Sequence, residues 1–178
     1  MGPMGSGKST LGSVLARRLG LQRLDADDLF VAENGPIAAY FSTRGEPAFR
    51  QAEEDVIAEV LSRAEPCVLS LGGGAVLSAL TRDRLAQGSH VVYLTVGEGA
   101  ALERLKGGAG RPVLAGDPGR TWRRILAERH GLYREVSQWT VDTTGRSTHD
   151  LADQIIRLVR TAENPSETSS ENHRSVHP

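Results

Sequence analysis

The chain has 178 residues, a length that suits one domain with a single sizeable core. Its 39% of hydrophobic and 24% of charged residues are ordinary values for a soluble globular protein. A net charge of −1 at pH 7 provides no electrostatic attraction for nucleic acid or an anionic membrane, and no apolar run approaches the length of a membrane span. We therefore expect a cytoplasmic protein that binds neither nucleic acid nor membranes.

The first ten residues contain the clearest motif. Gly2 to Ser9 matches G-x-x-x-x-G-K-[ST], the phosphate-binding P-loop. The glycines let backbone N–H groups turn toward a polyphosphate, Lys8 would reach the β- and γ-phosphates, and the Ser9 hydroxyl would hold Mg²⁺. A flexible glycine-rich end without function is the alternative. We disfavour it because helical spacing of apolar residues begins at once, with a helix predicted over residues 9–19.

A short strand is predicted next, over residues 21–24, and three aspartates follow it. In open α/β sheets, ligands bind at the carboxyl ends of strands. One of these aspartates would merely cap the following helix, and we expect that residue to be Asp28. We expect Asp25 and Asp27 to take part in the site.

Residues 28–63 are predicted to be helical, with breaks near Gly35-Pro36 and Arg44-Gly45. A buried strand over residues 67–71 then runs into a glycine triplet at 72–74, followed by a helix over about 78–87. Three consecutive glycines allow a backbone to approach a ligand closely, although a plain strand-to-helix turn is the alternative. The lone Cys67 is predicted to be a buried structural thiol.

The second half of the chain continues the alternation. Strands are predicted over 90–96 and 140–143, with helices that end near Lys106, cover 119–136 and close the domain near Arg160. The glycine-flanked segment 107–116 contains Arg111 and would suit a lid over phosphates, or else an ordinary surface loop. We expect one domain over 1–162 and a disordered tail over 163–178. Strands that alternate with helices predict an α/β fold with a parallel β-sheet and helices on both faces.

These motifs, in this order, resemble the shikimate kinases from Gly2 to about Arg160. The resemblance is carried by the P-loop, Asp25-Ala-Asp27, Phe49-Arg50, Gly72-Gly73-Gly74, Arg111-Pro112 and Arg129. It implies the nucleoside monophosphate kinase-like fold, with a five-stranded parallel sheet, a substrate-binding segment at about 28–63 and a lid at about 107–118. It also implies the activity, which is ATP-dependent phosphorylation of the 3-hydroxyl of shikimate on the route to chorismate and aromatic amino acids.

The resemblance assigns roles at the nucleotide end of the site. The loop residues that would bind ATP phosphates are Gly5, Ser6, Gly7, Lys8, Ser9 and Thr10. Asp25 would hold Mg²⁺ through water, beside Ser9. Arg111 would reach the phosphates from the lid, and Arg146 would lie near adenine.

Further roles concern the substrate. Arg50 and Arg129 would grip the carboxylate of shikimate, because a guanidinium fork pairs with both oxygens. Asp27 would hydrogen-bond the reacting hydroxyl and could accept its proton. The remaining residues implied around the pocket are Gly73, through its backbone, and the side chains of Phe41, Phe49 and Glu53. Lys8, Mg²⁺ and Arg111 would neutralise the transferring phosphoryl group.

Two other functions stay open from the residues. One is a different small-molecule P-loop kinase, acting on gluconate or a nucleoside monophosphate; the other is a non-catalytic nucleotide-binding module. We expect a monomer whose small-molecule partners are ATP and shikimate.

A P-loop normally follows a buried strand, whereas only Met1 precedes this one. In the implied fold that strand is central. We therefore expect Met1 not to be the natural start, with roughly five to ten further apolar residues upstream. The alternative expectation is a chain that folds poorly because the strands at 67–71 and 90–96 each lose a partner.

Overall fold

The computed structural model describes residues 1–106 and 117–164. The first half of this region contains two strands and four α-helices: α1 (Lys8–Leu19), β1 (Gln22–Asp25), α2 (Ala26–Asn34), α3 (Ile37–Leu61), β2 (Cys67–Ser70) and α4 (Ala79–Ala86). The second half adds β3 (Val92–Thr95), α5 (Glu98–Lys106), α6 (Pro118–Val136), β4 (Trp139–Asp142) and α7 (Thr148–Glu163). The predicted lid residues 107–116, with Arg111, and the tail residues 165–178 lie outside the described residues.

The strands pair in parallel, as predicted. β1 pairs with β2 from Gln22↔Cys67 to Asp25↔Ser70, and β3 pairs with β4 from Val92↔Trp139 to Thr95↔Asp142. Within residues 1–106 and 117–164 these are two separate two-stranded sheets. The carboxyl end of each strand leads into the next helix, directly for β1 and through a short connection for the other three strands.

Met1 lies on the edge of β3 that faces away from β4. Its amino group donates to the Val92 carbonyl oxygen at 2.9 Å, and its carbonyl oxygen accepts from the Leu94 N–H at 2.8 Å. Burial, with a smaller contribution from the charge on Lys8, lowers the pKa of this amino group to about 5. The expectation about residues upstream of Met1 stays a prediction.

Two cores cover the opposite faces of the strands. Neighbouring residues on a strand point to opposite faces, and Tyr93 and Leu94 of β3 accordingly belong to different cores. The core containing Tyr93 is built mainly from α3, α4 and α6: its largest members include Ile57, Leu85, Tyr133 and Val136. The core containing Leu94 is built from α1 and α7: its members include Leu11, Val14, Leu151 and Ile155. The prediction of helices on both faces is confirmed.

The helical region after β1 breaks where glycine was expected to break it. Gly35, with φ 81°, separates α2 from α3, and Gly45, with φ 78° and ψ 170°, interrupts α3 before Pro47. A short 3₁₀ helix over Ala75–Leu77, which was not predicted, follows the glycine triplet. None of the helices in the described ranges is long and apolar enough to cross a membrane.

Three local predictions were wrong. Asp25, not Asp28, caps α2, since its Oδ1 accepts from the Asp27 N–H at 3.2 Å while Asp28 is exposed. Cys67 is half-buried because it lies in the first position of β2, at the end of the strand. Glu163, assigned to the tail, is the last residue of α7.

Gly131 provides a test of the helix assignment. It is exposed inside α6, has no positive φ, and a Cβ built on it meets nothing within 4 Å. Gly131→Ala should therefore stabilise the protein by about 0.5–1 kcal/mol, because alanine loses less backbone entropy in a helix. Thermal unfolding should show a Tm raised by about 1–4 °C. The control is Gly12→Ala in α1, whose Cβ would lie 2.8 Å from the Ser70 Oγ and should gain less. A lower Tm for Gly131→Ala would contradict the assignment.

Candidate active site

The glycine-rich loop ends where α1 begins. Gly5 and Gly7 have φ of 80° and 84°, a left-handed conformation that side chains disfavour, and Gly7 is the N-cap of α1. The Nζ of Lys8 donates to the carbonyl oxygens of Gly2 and Pro3, at 3.0 Å each. The loop therefore curls around the lysine ammonium at the positive end of the helix, an arrangement that suits phosphate binding.

Ser9 and Asp25 meet as candidate metal ligands. The Ser9 Oγ donates to the Asp25 Oδ2 at 2.8 Å, and Arg23 donates to the same oxygen at 3.0 Å. A hydroxyl and a carboxylate are oxygen ligands of the kind that Mg²⁺ prefers, and Mg²⁺ usually keeps further waters and binds substrate phosphates. The described residues contain no group of three or more His, Cys, Asp or Glu side chains able to hold a metal ion. The pair thus fits a magnesium ion completed by phosphate, rather than an all-protein cage.

Two carboxylates converge on Gly72, the first residue of the triplet. A Cβ built on Gly72 would lie 2.9 Å from both the Asp27 Oδ1 and the Glu53 Oε1. Glu53 is buried in α3. Burial raises the pKa of its carboxyl and the charge of Asp27 adds to this, while the guanidinium of Arg50 opposes both. Asp27 and Glu53 therefore approach the same side of Gly72, at a position where any side chain larger than that of glycine would collide with both carboxylates.

Arg50 and Arg129 both lie against the triplet. Arg50 donates to Glu53 at 2.7 Å and to Glu46 at 3.2 Å, and its guanidinium lies against Gly74, where a Cβ would collide with Nη1. From α6, Arg129 donates through Nη1 to the Gly73 carbonyl oxygen at 3.0 Å. Its buried Nε has no hydrogen-bond partner among the described residues. Two guanidinium groups thus approach one short backbone segment from two helices.

The predicted pocket aromatics form one cluster. The Phe41 and Phe49 rings are 4.4 Å apart, and Phe49 also contacts Phe30 at 4.8 Å. Phe49 lies beneath the Arg50 guanidinium, which is 5.0 Å from its ring centroid. The cluster supports Arg50 from below.

The remaining residues predicted to bind the nucleotide are more dispersed. Thr10 is exposed in the first turn of α1, and Ser6 is fully buried. Arg146 donates to Gln154 at 2.6 Å, in the segment between β4 and α7. Of the predicted site residues, Arg111 alone lies outside the described residues.

Two residues of this region were missed by sequence reasoning. Arg104 of α5 donates to the Gly5 carbonyl oxygen at 3.0 Å and, through Nη2, to that of Thr143 at 2.8 Å. Tyr133 of α6 donates to the Gly73 carbonyl oxygen at 2.6 Å. No motif marks either side chain, because each acts on a backbone carbonyl far away in the chain.

The loop geometry predicts unequal effects of two alanine substitutions. Gly5 and Gly7 share a positive φ, but a Cβ on Gly5 would lie 2.7 Å from the Ala101 carbonyl oxygen, whereas one on Gly7 meets nothing within 4 Å. Gly7→Ala should cost about 1–2 kcal/mol of stability through backbone strain. Gly5→Ala should cost about 1–3 kcal/mol more, because the backbone of α5 must move. Chemical denaturation measures both, and equal losses would contradict the close packing of Gly5 on α5.

The raised pKa of Glu53 predicts that the stability of the protein depends on pH. Folding raises the pKa of its carboxyl above the usual 4.5, so the folded state holds this proton to higher pH than the unfolded state. The stability that this proton contributes is complete below the usual pKa of 4.5, and it is lost as the pH rises through the raised pKa. The Tm of Glu53→Gln should therefore gain on that of the parent as the pH rises above 4.5.

Glu59→Gln, at an exposed position of the same helix, controls for the loss of a carboxylate. A Glu53→Gln trend no larger than that of this control would contradict the prediction.

Comparisons with known proteins match most of the chain, including the residues of this site. The family model described as "Shikimate kinase" matches residues 4–160. The shikimate kinase of Streptomyces avermitilis is 43% identical over 157 residues, covering 88% of this chain and 91% of the relative. The structure of a shikimate kinase from Acinetobacter baumannii in complex with shikimate aligns with TM-score 0.86 at 38% identity, covering 91% of each chain.

A gluconokinase from Sinorhizobium meliloti 1021 aligns less closely, with TM-score 0.61 at 23% identity, covering 95% of this chain and 94% of that one. That likeness concerns the fold alone. The family match over residues 4–160 includes most of the glycine-rich loop, the glycine triplet and the four side chains Asp25, Asp27, Arg50 and Arg129. The chain belongs to the shikimate kinase family.

Proposed function

We propose that this chain transfers the γ-phosphoryl group of ATP to the 3-hydroxyl of shikimate, with the residue roles given below. The observation that carries the proposal is the pair of arginines that contact Gly73 and Gly74, next to the Asp27 and Glu53 carboxylates at Gly72. Paired guanidinium groups suit a carboxylate substrate. Asp27 suits the hydroxyl that reacts.

The nucleotide end supplies charge neutralisation. Lys8 would exchange its contacts with the loop carbonyls for the β- and γ-phosphates. Ser9 and Asp25 would hold Mg²⁺, which spreads the negative charge of the phosphates. Arg111 would add a second cation from the lid.

At the substrate end the protein would position the nucleophile. Arg50 and Arg129 would bind the carboxylate and fix the ring, so that the 3-hydroxyl points toward the γ-phosphate. Asp27 would accept a hydrogen bond from that hydroxyl and take its proton during transfer. Glu53 keeps Arg50 in place through its 2.7 Å hydrogen bond.

The rival functions differ in what the arginines would contact. A nucleoside monophosphate would place a phosphate there and gluconate a flexible open-chain acid. A non-catalytic nucleotide-binding module would have no need of Asp27 as a base. The family match over residues 4–160 supports shikimate over these. A cytoplasmic monomer with ATP and Mg²⁺ is the form we propose.

The proposal is tested by a coupled phosphorylation assay with shikimate, gluconate and nucleoside monophosphates. Only shikimate should be turned over, and Lys8→Ala should abolish turnover. Arg129→Lys should raise the KM for shikimate by about 10- to 100-fold, because lysine loses the fork, and should change the KM for ATP little.

The matched control is Arg124→Lys, at an exposed position of the same helix that pairs with Glu128. It should leave both KM values unchanged. Turnover of gluconate instead of shikimate, or an Arg129→Lys effect confined to ATP, would overturn the proposal.

A further inference from the structure

The Gly73 carbonyl oxygen accepts two hydrogen bonds from one helix. Arg129 donates to it at 3.0 Å and Tyr133 at 2.6 Å. These residues are four apart on α6 and so lie on the same face of that helix. Two donors saturate the lone pairs of the carbonyl and fix its direction toward α6.

Tyr133 is itself held rigidly. It is 1% exposed, and its ring stacks on Tyr93 with centroids 4.9 Å apart and an interplanar angle of 25°. Tyr93 is equally buried and hydrogen-bonds His130 at 3.0 Å. Burial raises the pKa of Tyr133 to about 12, so its hydroxyl remains protonated and available as a donor near neutral pH.

Both candidate carboxylate-binding arginines contact the segment around the peptide that joins Gly73 to Gly74. Arg129 contacts its carbonyl side, and the Arg50 guanidinium packs against the α-carbon of Gly74. A peptide unit is planar, so the direction of its carbonyl also fixes the direction of the Gly74 N–H. The Ala75 N–H donates to the Gly72 carbonyl oxygen at 3.2 Å, which makes this peptide the central unit of a turn. With glycine on both sides, the central peptide of such a turn can flip unless a group outside the turn holds it.

We infer that Tyr133 is a positioning residue of the shikimate site: its hydroxyl fixes the Gly73–Gly74 peptide and, through it, the spacing of Arg50 and Arg129. This inference rests on the proposed function for its substrate. Tyr133 does not need to touch the substrate. It acts because, without its hydroxyl, the Gly73 carbonyl oxygen would keep only the hydrogen bond from Arg129, and that arginine is itself expected to engage the ligand.

A pair of phenylalanine variants distinguishes this positioning role from simple core packing. Tyr133→Phe removes the hydroxyl that binds Gly73 and keeps the ring in its stack. Tyr93→Phe removes an equally buried hydroxyl from the partner ring, but that hydroxyl faces His130 and not the triplet. Both variants retain the same aromatic volume, so both should fold.

Steady-state kinetics gives the first readout. Tyr133→Phe should raise the KM for shikimate by about three- to tenfold, the loss expected for one neutral hydrogen bond. Its kcat and its KM for ATP should stay within about twofold of the parent. Tyr93→Phe should leave all three constants within the same limits.

Hydrogen exchange of the free protein gives a second readout that needs no substrate. Peptides covering residues 71–77 should exchange faster in Tyr133→Phe than in the parent or in Tyr93→Phe. An unchanged KM for shikimate with unchanged exchange would overturn the inference, as would equal effects of the two variants. A parent protein that fails to phosphorylate shikimate would overturn the proposed function instead, and the exchange result would still decide whether Tyr133 holds the triplet.

Discussion

The parallel register of β1 and β2 is the constraint on which the site depends. Pairing Asp25 with Ser70 brings two segments that are 45 positions apart to the same edge, where each strand gives way to its functional residues. Asp27 follows one strand and Gly72 the other. A slip of one residue would turn Asp25 to the opposite face and away from Ser9. The candidate metal ligand Asp25, the candidate base Asp27 and the glycine triplet are thus brought together by the four residue pairs of one ladder.

Charge balance then decides how that edge is organised. Acidic and basic side chains alternate across the site: Asp25 pairs with Arg23, and Glu53 with Arg50. A buried carboxylate left without a partner would be costly, so Glu53 depends on Arg50. Burial strengthens this interaction, since Glu53 is only 5% exposed. The guanidinium of Arg50 is held in place before any ligand arrives, and less entropy is lost when one binds.

Much of this architecture could be read from sequence because it depends on local signals. The loop motif and the glycines at 35 and 45 each act within a few residues, and each occurs where predicted. The helix-capping role of Asp25 was misassigned because three nearby aspartates offer the same chemistry. The contacts of Tyr133 and Arg104 could not be predicted, since they join residues 60 and 99 positions apart to backbone carbonyls. Backbone acceptors are present at every residue, so sequence pattern does not identify which one a distant side chain will bind.

The chain has two tryptophans, and one of them, on α6, hydrogen-bonds the glycine-rich loop. The indole N–H of Trp122, a residue 4% exposed, donates to the Met4 carbonyl oxygen at 3.0 Å. Trp139 lies on β4, in the wall of a surface pocket with Arg157 and Leu158. The emission of an indole responds to its hydrogen bond and to nearby charge, so Trp122 is an intrinsic optical reporter of the loop. Binding of an anion to the loop should therefore change the fluorescence of the unlabelled protein, and replacing Trp139 would leave a single emitter whose signal reports on the loop.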